Sequence, residues 1–257
     1  MTPGPPVKNK IKTADNVFAV VETLRELDGA TVTQLATELE LAKSTTHRYL
    51  VTLLERGYAN KDGDEYRLSL RFLDLGIYCR NEVQGTDEAK ETLQQLAEET
   101  TEIAWFSVEE RGHQVDVMKA EGRRAITVGT WLGKPKPMHC MAGGKAILAH
   151  LPEGRRAEIL DRHGLPEYTE HTITDRGELD DELDEIRETG VALHDQEHNI
   201  GVRSVAAPVI VDDDVLGAVA VSGPAGRMTG ERFRQELPDR VRSAANEVEL
   251  RLMSSKV

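Results

Sequence analysis

Residues 44–68 read STTHRYLVTLLERGYANKDGDEYRL, a helix running into a hairpin. Leu50, Leu53 and Leu54 recur at helical spacing and face inward, and Gly57 supplies a C-terminal stop. YANKDGDEYRL then alternates around Asp62-Gly63, a strong two-residue turn signal. Upstream, TVTQLATELEL sets Thr31 and Gln34 at capping-box spacing ahead of Leu35, Ala36 and Leu39, which predicts a short helix. Before it, TADNVFAVVETLREL from Thr13 repeats Val17, Val20, Val21, Leu24 and Leu27 along the face of a first helix. Three helices within about 45 residues, with a tight turn between the last two, make a helix-turn-helix. The hairpin behind it is a wing.

Residues three, four and seven apart share a helix face, so Thr45, Arg48 and Thr52 line the side of the third helix roughly opposite Leu50. Ser44, Thr45 and His47 are short hydrogen-bonding groups suited to phosphates or base edges, and Arg48 can bridge a guanine or clamp a phosphate. Taken alone, this reads equally well as a solvated polar face. The wing decides for double-stranded DNA. Lys61 at its tip and Arg67 on its return strand can reach the backbone, as can Lys8, Lys10 and Lys12 in the basic tail of residues 1–12.

The stretch KSTTHRYLVTLLERGYANKDGDEYRLSLRFLDLG resembles the DNA-binding domain of the IclR family of regulators. The match lies in the order of its parts: Lys43-Ser44-Thr45 opening the recognition helix, then Arg48-Tyr49-Leu50, Gly57-Tyr58 and a wing ending Tyr66-Arg67-Leu68. The resemblance implies a winged helix-turn-helix over 13–69 that uses Lys43, Ser44, Thr45, His47, Arg48, Thr52, Lys61 and Arg67 on an operator. Residues 70–85, carrying Leu73, Leu75, Ile77 and Tyr78, read as a linker helix. In such regulators that helix and the first one support dimer contacts, so a homodimer or tetramer is expected.

From residue 86 a second domain is expected. Thr86 followed by two acids opens a helix to about residue 100. IAWFSV, HQVDVMKA and AITVGTW read as strands, as do 203–211 and 215–222 on either side of an Asp212–Asp214 turn. Helices are expected near 143–150, 153–162 and 175–189, and a long one from about Gly230 closes the chain. The fold class is an antiparallel α+β domain. Neither a P-loop nor GxGxxG occurs, so no nucleotide cofactor is expected.

GKPKPMHCMAGGKAILAHLP and the stretch from Thr174 to Thr229 resemble the same family's effector domain, which implies a GAF-like sheet cupping a small molecule. Physically, Met141-Ala142-Gly143-Gly144 is a credible anion seat, because small residues expose N–H groups at the positive end of a helix. A tight turn that needs glycine reads the same residues without a ligand. His194, Asp195, Ser204 and Ser222 are the candidate polar contacts, and Val128, Trp131 and Met141 the apolar walls. At the place of His194 the family often has an acidic contact, and at Ala220 a serine; both departures bear on which ligand fits.

Composition narrows the function classes. No apolar run of membrane-spanning length and no signal peptide is present, so a cytoplasmic protein without a membrane partner is expected. Cys79 and Cys140 lack CxxC spacing and read as ordinary reduced thiols. The net charge is −13, yet residues 1–75 contribute only −1 of it. The acid therefore sits beyond the DNA-reading half, and with acidic runs such as Asp212-Asp213-Asp214 it reads either as adaptation to a salty cytoplasm or as an ordinary acidic protein. Two other readings stay open: an enzyme using Cys140 with His139 or His194, and a metal sensor built on His194 and His198. The expectation is a non-enzymatic regulator of nearby catabolic genes, with no resident metal.

Overall fold

The computed structural model of the protein describes residues 11–126 and 130–255. Lys8, Lys10 and Val128 lie outside them. The chain divides into two compact units, the first ending at Arg80 and the second starting at Asn81.

In the first unit α1 (Lys12–Glu26), α2 (Val32–Glu38) and α3 (Lys43–Glu55) enclose Val20, Leu24, Leu35, Leu50 and Leu53. The capping box forms: the Thr31 side chain accepts from the Gln34 amide, and Gln34 Oε1 accepts from the Thr31 amide at 2.8 Å. Behind α3, the Tyr58 amide reaches Leu53 O at 2.7 Å and the Gly57 amide reaches Leu54 O at 2.9 Å. Gly57 at φ +75° makes that double closure possible, and it satisfies carbonyls the helix end would leave unpaired. The wing is β2 (Ala59–Asp62) and β3 (Glu65–Leu68), with β1 (Ala30–Thr31) added along β3 as a strand too short to show periodicity. Its turn is Gly63-Asp64, one residue beyond the expected Asp62-Gly63, because Asp62 pairs with Glu65 and the glycine takes the first positive-φ position. Leu27, expected on the apolar face, instead caps α1 and is exposed. The helix after the wing, α4 (Arg71–Asn81), has no buried residue.

The second unit is one six-stranded antiparallel sheet with helices on both faces. In chain order it contains α5 (Thr86–Thr100), β4 (Ile103–Glu110), β5 (His113–Glu121), β6 (Pro135–Pro137), α6 (Ala142–His150), α7 (Glu153–His163) and α8 (Arg176–Thr189). Then come β7 (Ala192–Asp195), β8 (Val202–Val211), β9 (Asp214–Pro224) and α9 (Leu237–Ser255). The sheet order is β6-β5-β4-β9-β8-β7. α5 and α9 bury Phe106, Val205, Val219 and Val221 on one face. α6, α7 and α8 cover the other, against Trp105, Ala192, Ala206 and Ala220.

Of the expected strand at AITVGTW, Ala125, Ile126, Thr130 and Trp131 are not in a strand, and 127–129 lie outside the described residues. The edge strand is β6, whose two prolines are tolerated because an edge has a side with no ladder bond to make. The four residues of β7 form the opposite edge and carry no alternation long enough to be read. The closing helix is preceded by a π-helical turn at Arg232–Glu236, a widening that accommodates Pro238, which has no amide to donate.

Candidate DNA interface and effector cup

On α3, Lys43, Ser44, His47, Arg48 and Thr52 are exposed and Thr45 is half-buried, while Thr46, Leu50 and Leu53 face the core. Among the described residues nothing bonds to the Arg48 guanidinium, whereas Thr52 Oγ1 is turned back onto Arg48 O at 2.9 Å. The helix therefore offers a cation and short polar groups on a face the core does not use. Lys61 Nζ stands 5.2 Å over the Tyr66 ring on the wing. Arg67, exposed on β3, is paired with Glu65 two positions earlier on the same strand face at 2.9 Å and with Asp28, just ahead of β1, at 3.6 Å.

The second site lies under α6. Met141 precedes the helix in extended conformation, no side chain caps it, and Ala142, Gly143 and Gly144 are all buried in its first turn. Their N–H groups are the ones a helix cannot satisfy internally. Gly143 is helical, so positive φ is not its reason. A Cβ there would lie 3.0 Å from Gln114 Oε1. The strict requirement belongs to Gly144, whose Cβ would sit 2.3 Å from Met138 O. Lys145, fully buried in the same turn, gives Nζ to both Glu197 oxygens at 2.7 and 2.8 Å and to Glu182 on α8.

Three strands place His194, Ser204 and Ser222 in one cross-strand row on the face that α6 covers, with Ala220 beside Trp105 and Ala206 in the next. Ser204 Oγ donates to Ser222 Oγ at 2.9 Å. Asp195 is the correction among the expected contacts. Strand alternation turns it to the opposite face, where Arg203 grips it at 2.7 and 2.9 Å and holds its carboxyl below the usual carboxylate range. Trp131 is half-exposed with Lys134 Nζ 4.5 Å from its ring centroid.

Several site residues are absent from the expectation. Asp116 accepts from Ser107 at 2.7 Å, from Gln114 at 2.9 Å and from the buried Lys136, whose Nζ also lies 5.2 Å from the Trp105 ring. The signal was present as polar residues alternating inside otherwise apolar strands. His198 stacks on Tyr168 at 4.7 Å, and burial, then the charges of Lys136 and Lys134, lower its pKa. The cup is thus bordered by cations.

The enzyme and metal readings turn on Cys140 with its neighbouring histidines and on the His194–His198 pair, among the described residues. Burial pushes the Cys140 thiol far up and no histidine is bonded to it; His139 Nε2 is engaged with Pro166 O at 3.1 Å. His194 Nε2 accepts the His198 amide, and among the described residues no three His, Cys, Asp or Glu side chains converge on a metal position.

Comparison with known proteins agrees with this architecture. Residues 13–63 match the IclR helix-turn-helix domain, and residues 82–250 match the bacterial transcriptional regulator IclR C-terminal domain. The chain is 33% identical to a probable HTH-type transcriptional regulator ArcR of Halobacterium salinarum, across 95% of this chain and 94% of that one. The crystal structure of Thermotoga maritima IclR superposes with a TM-score of 0.80 at 25% identity, covering 95% and 99% of the two chains. An IclR homologue from Microbacterium hydrocarbonoxydans, solved with 4-hydroxybenzoate, shares the fold with a TM-score of 0.78 at 20% identity, covering 94% and 99%. The chain belongs to the IclR family of transcriptional regulators.

Proposed function

We propose that this regulator binds operator DNA as a homodimer or tetramer in the cytoplasm and adjusts nearby catabolic genes, without catalytic turnover, when a carboxylate-bearing metabolite enters the cup. One observation carries the ligand class. The buried first turn of α6 has no side-chain cap, and the polar row beside it, His194, Ser204 and Ser222, contains no carboxylate, since Asp195 faces the other way. Donors around an uncapped helix N-terminus favour an anion. That Microbacterium hydrocarbonoxydans relative, solved with an aromatic acid, supports the same class. A thermal-shift screen of keto, sugar and aromatic acids tests it, because a ligand of the folded state alone raises the melting temperature. Failure of every acid to do so contradicts it.

For the DNA half, the operator should be an inverted repeat with half-sites about 34 Å apart or a multiple of it, since one recognition helix reads too few base pairs alone. Footprinting checks the repeat, and full-affinity binding of a monomer to one half-site contradicts it. Arg48→Ala should weaken operator binding by about 1–3 kcal/mol and relax preference at one position. Equal loss on every sequence makes Arg48 a phosphate clamp instead.

A further inference from the structure

β4 and β5 meet in a two-residue turn, Arg111 at φ +54° and Gly112 at φ +84°, which sets Glu110 directly opposite His113. Two contacts fasten α7 to this turn. Glu109 Oε1 accepts from the Gly112 amide at 2.6 Å and from the Arg155 guanidinium of α7 at 2.7 Å. At the far end of the same helix the His163 ring lies on Gly112, where a Cβ would collide with its Nε2. That approach brings His163 against His113, with ring centroids 4.4 Å apart and planes at 71°. Both residues are half-buried.

His163 Nε2 lies 3.2 Å from the Arg111 carbonyl oxygen. A carbonyl only accepts, so in the neutral ring Nε2 carries the proton and Nδ1 keeps a bare lone pair. That lone pair has no hydrogen-bond partner among the described residues. One N–H anchored on a backbone carbonyl, with the other nitrogen free, is the arrangement that metal-binding histidines share. The same carbonyl faces the His113 ring. The separation fits as well: two imidazoles on adjacent corners of a square or octahedral ion, each bonded at about 2.0–2.1 Å, hold their centroids about 4.5 Å apart. Glu110 shares the face of His113 as its cross-strand neighbour, is exposed, and pairs with no cation among the described residues.

We propose that His113 and His163 form a two-histidine seat for a divalent transition-metal ion of the nickel, copper and zinc class, with Glu110 and water completing its shell. Imidazole nitrogen selects those ions over magnesium and calcium, which prefer oxygen. None of the three residues belongs to the effector cup. Because one histidine stands on β5 and the other on α7, a bound ion fastens the hairpin to the helix and stabilises only the folded chain.

The experiment uses the untagged full chain, stripped with a chelator and held at neutral pH in excess Mg2+, so that oxygen-only sites are filled. Calorimetry with nickel chloride should show one ion bound per chain, and the same nickel should raise the melting temperature. His113→Gln and His163→Gln should each weaken nickel binding by at least about tenfold, since even outer-shell partners of a metal are worth that much. Both should also remove the thermal shift, whereas His171→Gln, at an exposed position elsewhere, should change neither readout. On 15N-histidine-labelled wild type, substoichiometric Cu2+ should broaden the His113 and His163 ring signals before those of the other histidines. Should either variant fail to fold, this copper readout decides alone. Absence of nickel binding overturns the proposal, as does nickel binding that both variants retain, or copper broadening that starts at His194 and His198.

Discussion

Phe106, Val205, Val219 and Val221, on one face of the six-stranded sheet, sit in an apolar cluster with α5 and α9, while the same strands present Ser107, Ser204 and Ser222 to the face under α6 and α8. Side chains alternate along a strand, so each strand contributes to both faces, and the difference is one of composition alone. The first face is close-packed core that many sequences could supply. The second buries Gln114, Asp116, Lys136, Lys145, His194 and Glu197, each an expense in a folded interior unless partnered. Polar groups kept at such cost mark the face that does the protein's work.

The sharpest contrast comes from truncating each face in turn. On the core side Phe106→Ala should cost about 3–5 kcal/mol in urea unfolding, yet leave effector affinity unchanged at temperatures where the protein stays folded. A loss of affinity without loss of stability would reverse the roles of the faces.

On the cup side Lys145→Met should destabilise by about 3 kcal/mol, the lower end for breaking a buried pair, since Glu182 retains contact with solvent. Glu197 is already raised above its ordinary value of 4.5, burial outweighing the attraction of Lys145. Removing the lysine raises it further. A carboxyl raised in the folded state favours folding below its unfolded value and loses that benefit as pH climbs through the folded one. The gap in urea midpoint between wild type and variant should therefore widen from pH 4.5 towards neutrality, and a constant gap would show that Glu197 does not need the lysine.

The two adjacent glycines give a smaller effect of opposite kinds. Gly144→Ala forces a methyl into the Met138 carbonyl and should cost about 1–3 kcal/mol, whereas Gly143→Ala, meeting only the Gln114 side chain, should stay within about 1 kcal/mol of wild type. Equal melting temperatures for the two would mean that α6 does not approach the Met138 backbone as closely as described. Smallest of all, Ser222→Ala should change stability by no more than about 1 kcal/mol while weakening acid binding, a split that calorimetry and thermal unfolding measure side by side. If acid affinity is unmoved, the row ends at Ser204.

What the sequence made legible was local. The capping box at Thr31 and Gln34, the Gly57 stop and the hairpin wing depend on residues within a few positions of one another. Short edge strands β6 and β7 escaped because three or four residues hold no period. Asp195 was misassigned although alternation from His194 forbids both facing the cup; its partner Arg203 is eight residues away across a turn. Lys136 with Asp116, and Lys145 with Glu197, are separated by 20 and 52 residues, and their meeting depends on the completed sheet. Small residues announce the start of α6, but which glycine is indispensable depends on how close the Met138 carbonyl comes.

An acid at the α6 end should change how the protein holds DNA. This is tested most directly by an operator shift assay on a DNA fragment the protein itself selects, with and without the most stabilising acid, for wild type and Gly143→Val. The acid should alter operator affinity of the wild type, and the variant should bind the operator as wild type does without acid but no longer respond to it, because β-branched bulk displaces Gln114 and obstructs the seat. An unaltered acid response in Gly143→Val, or an acid that stabilises the wild type without changing its hold on DNA, would contradict this.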